Sequence, residues 1–376
     1  MKKWVWVILF ILFVGCSSNE SPNRTDNLTE RERDEDTKED NNNQDNDKKE
    51  NSEETEGKQE EKTEEVEIDY QKVKPNELGH IMIVMYHGIK NLPPYHRTEE
   101  DFEKDLQFLY DHGYRLISMR DYLDNNINVP PGLTPIVLTF DDGLSSTFSL
   151  VEENGEFVPT PNTAVAILEK FAKNNPDFGK TATFYINSDL KTFDGEGTKE
   201  ERIEWLHENG YHVANHTSNH ADLSTLGEES IQKNIGKTDE FIRNILGEDY
   251  LVDSLTYPFG KRPKKELLPY IQSGKYKSHT YNIKIALKEG PSGSFIPPHH
   301  LRFDPLLVPR VRGSEGEVQD LWWFLNYYEE NPDKKYISDG NNNRISIPEA
   351  YEKYLNYEAI PKEKEIYLYK IEEDTD

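Results

Sequence analysis

Asp141 and Asp142 stand side by side before Gly143, directly after the apolar run Ile136-Val137-Leu138 and Thr139-Phe140. Adjacent carboxylates at a strand end point in different directions, so one can hold a cation while the other works as a base. Taken alone, Asp-Asp-Gly is equally at home in a turn or a helix cap. Further along, His216 and His220 lie in Asn215-His216-Thr217-Ser218-Asn219-His220-Ala221-Asp222-Leu223. On a helical turn, imidazoles spaced this way share one face and reach one cation. A lone His pair is more often structural or superficial. With Asp142 added, the set becomes two histidines and one carboxylate, which leaves coordination positions open for water and substrate.

The elements that must hold these residues read as alternating strands and helices. Ile81-Met82-Ile83-Val84-Met85, Ile136-Val137-Leu138 and Ala182-Thr183-Phe184-Tyr185-Ile186 are short, continuously apolar runs of the kind found in buried parallel strands. Phe102, Leu106 and Leu109 recur at helical spacing, as do Ile231, Ile235, Ile242 and Ile245 across Glu228–Leu246, which Gly247 ends. Strand-helix alternation predicts an α/β unit on a parallel sheet. In such folds the chemistry gathers at the carboxyl ends of the strands, where the Asp pair stands.

Composition narrows the function. Of the net charge of −27, residues 17–69 carry −13, from 21 Asp/Glu against 8 Lys/Arg. The chain has no basic stripe to displace counterions from phosphates, which excludes a dedicated nucleic-acid binder. The net charge also disfavours adhesion to anionic lipid. The single cysteine, Cys16, excludes an intramolecular disulfide and a cysteine-built zinc cluster, so a hydrophobic core must hold the fold.

At the amino end, Lys2 and Lys3 precede an apolar run from Trp4 to Val14 and then Gly15-Cys16-Ser17-Ser18, the regions of an export signal. The run is short for a membrane span. Phe13-Val14-Gly15-Cys16 resembles a bacterial lipobox, which implies cleavage of residues 1–15 and lipidation of Cys16. The chain is then held on the outer face of the bacterial cell membrane. A cleaved signal peptide with an incidental cysteine is the simpler alternative. Residues 16–75 are read as a disordered acidic linker, too poor in apolar side chains to offset their ordering entropy, and 76–376 as the folded domain.

Thr139-Phe140-Asp141-Asp142-Gly143, then Gly179-Lys180-Thr181-Ala182-Thr183-Phe184-Tyr185, then Asn215-His216-Thr217-Ser218-Asn219-His220 resemble the motifs of the NodB-homology polysaccharide deacetylases, carbohydrate esterase family four. The likeness spans roughly residues 78–312. It implies a distorted (β/α)7 barrel in which Asp142, His216 and His220 bind a divalent metal, zinc first with cobalt or nickel as alternatives. It further implies that Asp141 is the general base toward a water attacking an N-acetyl group. The family's general acid is a histidine ending a late strand, and no such strand occurs late in this chain. Ile81-Met82-Ile83-Val84-Met85-Tyr86-His87 has that build near the start, as in the permuted branch acting on poly-N-acetylglucosamine, so His87 takes the acid's role. A packed turn histidine is the other reading.

The third motif departs from the family pattern. In Leu255-Thr256-Tyr257-Pro258-Phe259-Gly260 a threonine stands where the family places an arginine that steadies the base. Arg310 is the candidate replacement, and a surface arginine is the bland alternative. The amide near Phe259 is implied as part of an oxyanion site. His299-His300 carries little specificity as a loop pair. Trp322, Trp323, Phe324 and Tyr327 read as core, and residues 313–376 as completing the barrel or covering the groove.

The expected protein is a monomeric, lipid-anchored, metal-dependent deacetylase of an N-acetylglucosamine polymer, exopolysaccharide first and peptidoglycan second. The competing expectation is a carbohydrate-binding lipoprotein of the same fold with impaired catalysis, of which Thr256 is a sign.

Overall fold

The computed structural model describes residues 68–290 and 294–372. The expected signal peptide, Cys16 and nearly all of the expected linker lie outside the described residues.

The apolar runs form strands buried on both faces. They are β1 (Ile83–Tyr86), β2 (Thr134–Asp141), β3 (Thr183–Ile186), β4 (His212–Asn215), β5 (Ser254–Thr256), β6 (Ile285–Leu287) and β7 (Val311–Arg312). All pair in parallel and neighbour one another in chain order, from β1 beside β2 to β5 beside β6, with β7 on the other side of β1. The ring closes because Val308, just ahead of β7, bridges Leu287 of β6: Val308 N–H donates to Ala286 (3.1 Å) and accepts from Lys288 N–H (2.9 Å). The result is the expected seven-stranded barrel, with an eighth strand, Tyr114–Leu116, paired in parallel to the start of β2 outside the ring. Its distortion is visible between β4 and β5, where Leu255 and Asn215 are the registered pair.

Period-two alternation separates two cores. Ile83, Val137, Tyr185, Ala214, Ile285 and Leu287 fill the barrel interior. Val84, Leu138, Phe140, Phe184 and Val213 face outward and are covered by helices α1 (Glu99–Asp111), α2 (Ala164–Asn174) and α3 (Lys199–Glu208). The predicted helix at 228–246 is α4 (Glu228–Leu246), and Gly247, at φ +100°, ends it with its N–H on the Arg243 carbonyl. One inward charge on α1 is fully enclosed. Asp105 accepts from Arg97 (2.9 and 2.6 Å), from the Tyr86 hydroxyl (3.0 Å) and from the Trp322 indole (2.7 Å).

Two expectations change. Residues 69–74, assigned to the linker, form a helical turn capped by Asp69, with the Tyr70 ring against Tyr367 and Tyr369, so the folded part begins near residue 68. Among the described residues, 313–372 add no strand to the barrel. After helix α5 (Leu321–Glu330), the strands Arg344–Pro348 and Glu365–Tyr369 pair with each other in parallel. They pack near Leu78, and Glu77 N–H donates to the Ser346 carbonyl (3.0 Å). Since residues 77–80 lead into β1, this segment sits at the amino-terminal mouth of the barrel. The expected aromatic core at 322–327 is correct for Phe324, whereas Trp323 is 38% exposed and stacks on Tyr327.

Leu138 is fully buried at the centre of β2. Leu138→Ala is expected to lower unfolding free energy by about 2–5 kcal/mol, read from denaturant midpoints at constant m-value.

Candidate active site

The carboxyl ends of the strands supply the polar residues. Asp141 continues the inward series Val137 and Thr139, so its carboxylate points into the barrel and is 2% exposed. Asp142 turns out of that register at φ +72°, which sends the second carboxylate toward the solvent-facing side of the mouth, half-buried. This is how two adjacent aspartates come to occupy different environments.

His216 and His220 are not on a helical turn. They lie on the loop after β4, where Thr217 (φ +65°) and His220 (φ +56°) adopt left-handed conformations. Asn215 and Asn187 hold that loop: Asn215 Oδ1 accepts from Thr217 N–H (2.9 Å), and the Asn187 amide donates to the His216 carbonyl (2.6 Å) and the Thr217 carbonyl (3.1 Å). The two imidazoles nonetheless meet, with ring centroids 4.9 Å apart.

Asp142, His216 and His220 each offer one ligand atom, all within 4.8 Å of one another. His216 Nε2 and His220 Nε2 lie 3.4 and 3.6 Å from Asp142 Oδ1. Ligands on a tetrahedron with bonds of ~2.1 Å are about 3.4 Å apart, so the spacing suits a small divalent cation. His216 Nε2 is buried without a hydrogen-bond partner among the described residues. Its Nδ1 faces the Thr256 carbonyl at 3.1 Å, with the Thr256 hydroxyl beside it. A proton on Nδ1 donated to that carbonyl leaves the Nε2 lone pair free for a cation, the usual second-sphere arrangement of a ligating histidine. The donor set therefore fits a divalent metal. Thr256 at the position expected for arginine thus fixes a tautomer.

The guanidinium that the third motif lacks comes from the residue directly ahead of β7. Arg310 is 1% exposed and meets Asp141 end-on through both terminal nitrogens, Nη1 to Oδ1 at 2.8 Å and Nη2 to Oδ2 at 2.6 Å. Its remaining donors reach the Thr139 hydroxyl (3.2 Å) and the Lys288 carbonyl (3.3 Å). Burial alone would raise the Asp141 carboxyl, but Arg310 and the neighbouring imidazoles hold it well below the usual carboxylate range.

His87, the inward residue after Met85, stands half-buried at the end of β1. Burial lowers its pKa, against the opposing pull of Asp141 and Asp142. The Tyr95 ring meets its imidazole edge-on at 5.3 Å. On the far side of the mouth the exposed Phe259 ring lies 4.5 Å from His220, carried by a turn in which Phe259 has φ +60°. The structure thus gathers Asp141, Asp142, His216, His220, Arg310 and His87 at one mouth. His299 is elsewhere, buried between the Asn125 side chain and the Glu77 carbonyl, both at 2.7 Å, and His300 stacks on Tyr354. Glu289, Arg312 and Tyr95, which also reach this mouth, were not singled out in the sequence. Arg312 was within reach of it, since it stands two residues after Arg310 and strands alternate with period two.

Arg310→Ala would leave a buried carboxylate unpaired, with an expected loss of about 3–5 kcal/mol at pH 7. In the native chain Asp141 is depressed, so the pair's contribution is complete above the unfolded carboxylate pKa of about 3.9 and fades as pH falls through the folded value. Without the guanidinium, burial pushes Asp141 up. The gap in Tm between native chain and variant should therefore be widest near pH 7 and shrink toward pH 4.

The family model described as polysaccharide deacetylase matches residues 129–278. YxkH of Bacillus subtilis (strain 168), named as a polysaccharide deacetylase, is 21% identical over 200 residues, 52% of this chain, and the match spans 62% of that relative's length. Among solved structures, the Streptococcus pyogenes deacetylase PplD in complex with acetate shares 21% identity at a TM-score of 0.46, covering 62% of this chain and 92% of its own. BC0361, a polysaccharide deacetylase from Bacillus cereus, gives 22%, 0.48, 66% and 68% in the same order. IcaB from Ammonifex degensii gives 18%, 0.46, 62% and 91%. The stretch that resembles the polysaccharide deacetylase family, residues 129–278, carries the aspartate pair and both histidines.

Proposed function

We propose that the protein is a metal-dependent N-deacetylase of an N-acetylglucosamine-containing polysaccharide, exopolysaccharide before peptidoglycan. The observation that carries this reading is the meeting of a three-ligand cation site with an adjacent, guanidinium-locked carboxylate at the open mouth of the barrel.

Asp142, His216 and His220 would hold the cation, zinc first, with cobalt or nickel as substitutes. When bound, it supplies a Lewis acid for the acetyl carbonyl and lowers the pKa of water. Asp141, kept ionised and aimed by Arg310, accepts a proton from the attacking water as the new C–O bond forms. Breaking the C–N bond requires a proton on the departing amine, and His87 is the group assigned to give it. The products are acetate and a free amino sugar. Thr256 holds His216 in the tautomer that ligation needs.

The similarity of residues 129–278 to the polysaccharide deacetylase family and the donor set support this over the impaired, carbohydrate-binding alternative. That alternative drew on the missing motif arginine, and Arg310 now occupies the corresponding place on the carboxylate. The cell-surface assignment rests on the Lys2-to-Cys16 pattern alone, with Cys16 as the lipid-bearing residue ahead of an acidic tether.

Acetate release from N-acetylglucosamine oligomers should vanish with chelator, return with zinc or cobalt, and fall by at least ~100-fold in Asp141→Asn and His87→Ala while metal content stays near one per chain. Metal-replete wild-type protein that binds the oligomer and releases no acetate would sink the assignment. For the anchor, Cys16→Ala should abolish incorporation of labelled fatty acid and shift the protein from the membrane to the medium. Unchanged membrane retention would refute it.

A further inference from the structure

Among the described residues, the imidazole assigned as general acid has no hydrogen-bonding orienter. A catalytic histidine ordinarily has one ring nitrogen tied to a carboxylate or carbonyl, which fixes the ring and its tautomer. Here His87 Nδ1 is buried and without a hydrogen-bond partner among the described residues. What touches the ring is Tyr95, from the loop that leaves β1. The two rings stand at 66° with centroids 5.3 Å apart. The backbones are joined as well, His87 N–H donating to the Tyr95 carbonyl at 3.3 Å.

Tyr95 is 40% exposed, yet it is held from two further strands. From β7, the Arg312 guanidinium lies over its ring, 5.6 Å from the centroid. From the loop after β6, the Glu289 carboxylate faces its hydroxyl and, as the largest cause, raises its pKa. Glu289 in turn packs on Gly260, where an added Cβ would come within 2.9 Å of the Glu289 Cβ, so the support extends into the turn that carries Phe259. The cation over its face, the carboxylate near its hydroxyl and the backbone bond to His87 restrain the ring. A neighbouring imidazole without a hydrogen bond therefore inherits that restriction by packing.

We infer that Tyr95, clamped by Arg312 and Glu289, is the positioning residue for His87: it fixes by ring contact an imidazole that no hydrogen bond orients. The inference rests on the acid's role given above to His87. It makes Tyr95 matter only when the leaving group needs a proton. An amine departing from an amide needs one, whereas the phenolate of an activated aryl acetate departs without it.

Two substrates and two variants test this. Tyr95→Ala removes the ring, and Tyr95→Phe keeps it. With zinc-loaded enzyme, Tyr95→Ala is expected to lower kcat on N-acetylglucosamine oligomers by at least ~10-fold with KM within ~2-fold. Its turnover of 4-nitrophenyl acetate should stay within ~2-fold of wild type. Tyr95→Phe should keep most of the amide activity. Equal losses on both substrates, a loss confined to KM, or no loss on the oligomer would overturn the inference. Wild-type enzyme inactive on both substrates would instead remove the deacetylase reading itself. Retained ester turnover in Tyr95→Ala also shows that the variant is folded and metal-loaded.

Discussion

The Asp141–Arg310 pair is the interaction on which the rest of the mouth depends. Both groups are almost wholly removed from water, and bringing isolated ions there costs several kcal/mol each. Such a pair persists only where its geometry returns that cost. Here two parallel N–H···O contacts, the Thr139 hydroxyl and the Lys288 carbonyl take up most of the guanidinium donors. Because Arg310 is carried ahead of β7 and its partners belong to β2 and the end of β6, one side chain spans the barrel interior and binds the closing seam to the strand that carries the aspartates. The same contact that fixes the carboxylate's direction lowers its proton affinity. Orientation and charge are thereby favoured over basicity.

The two mouths of the barrel divide the labour. At the carboxyl end, left-handed residues such as Asp142, Thr217 and His220 re-aim side chains at some cost in backbone strain. At the amino end, the two-stranded segment and the buried Glu77 carboxylate, which accepts from the Asp339 and Ser346 amides, cover the interior with ordinary hydrogen bonding. Burial pushes Glu77 up to about 8, so this end is held by a carboxyl that is protonated in much of its neutral-pH population.

Strands and long helices were legible because their signals are local: a continuous apolar run for β2 and a 3.6-residue period for α4. The aspartate pair and the histidines were legible because residue type and spacing survive whatever backbone carries them, even though the helical turn expected for His216 and His220 is a loop of left-handed residues. That error has a physical source, since Asn215 and Asn187 stabilise the loop through side-chain bonds that no periodicity reveals. Arg310 could be named as a candidate, but its arrival at Asp141 depends on ring closure, which is a property of the whole sheet. Thr256 was read as a loss, because its partner, the His216 ring, became visible only when β4 and β5 were placed side by side. The tail and the ordered turn at Tyr70 were obscured by composition: short, polar segments gain their order from contacts nearly 300 residues away.

Barrel closure also sets an order of events. Arg310 lies 169 residues beyond Asp141 in the chain, and the strand that brings it is the last of the seven to leave the ribosome. The ion pair is therefore a contact of long sequence separation, and forming it carries the loop-closure entropy of the whole stretch between its two residues.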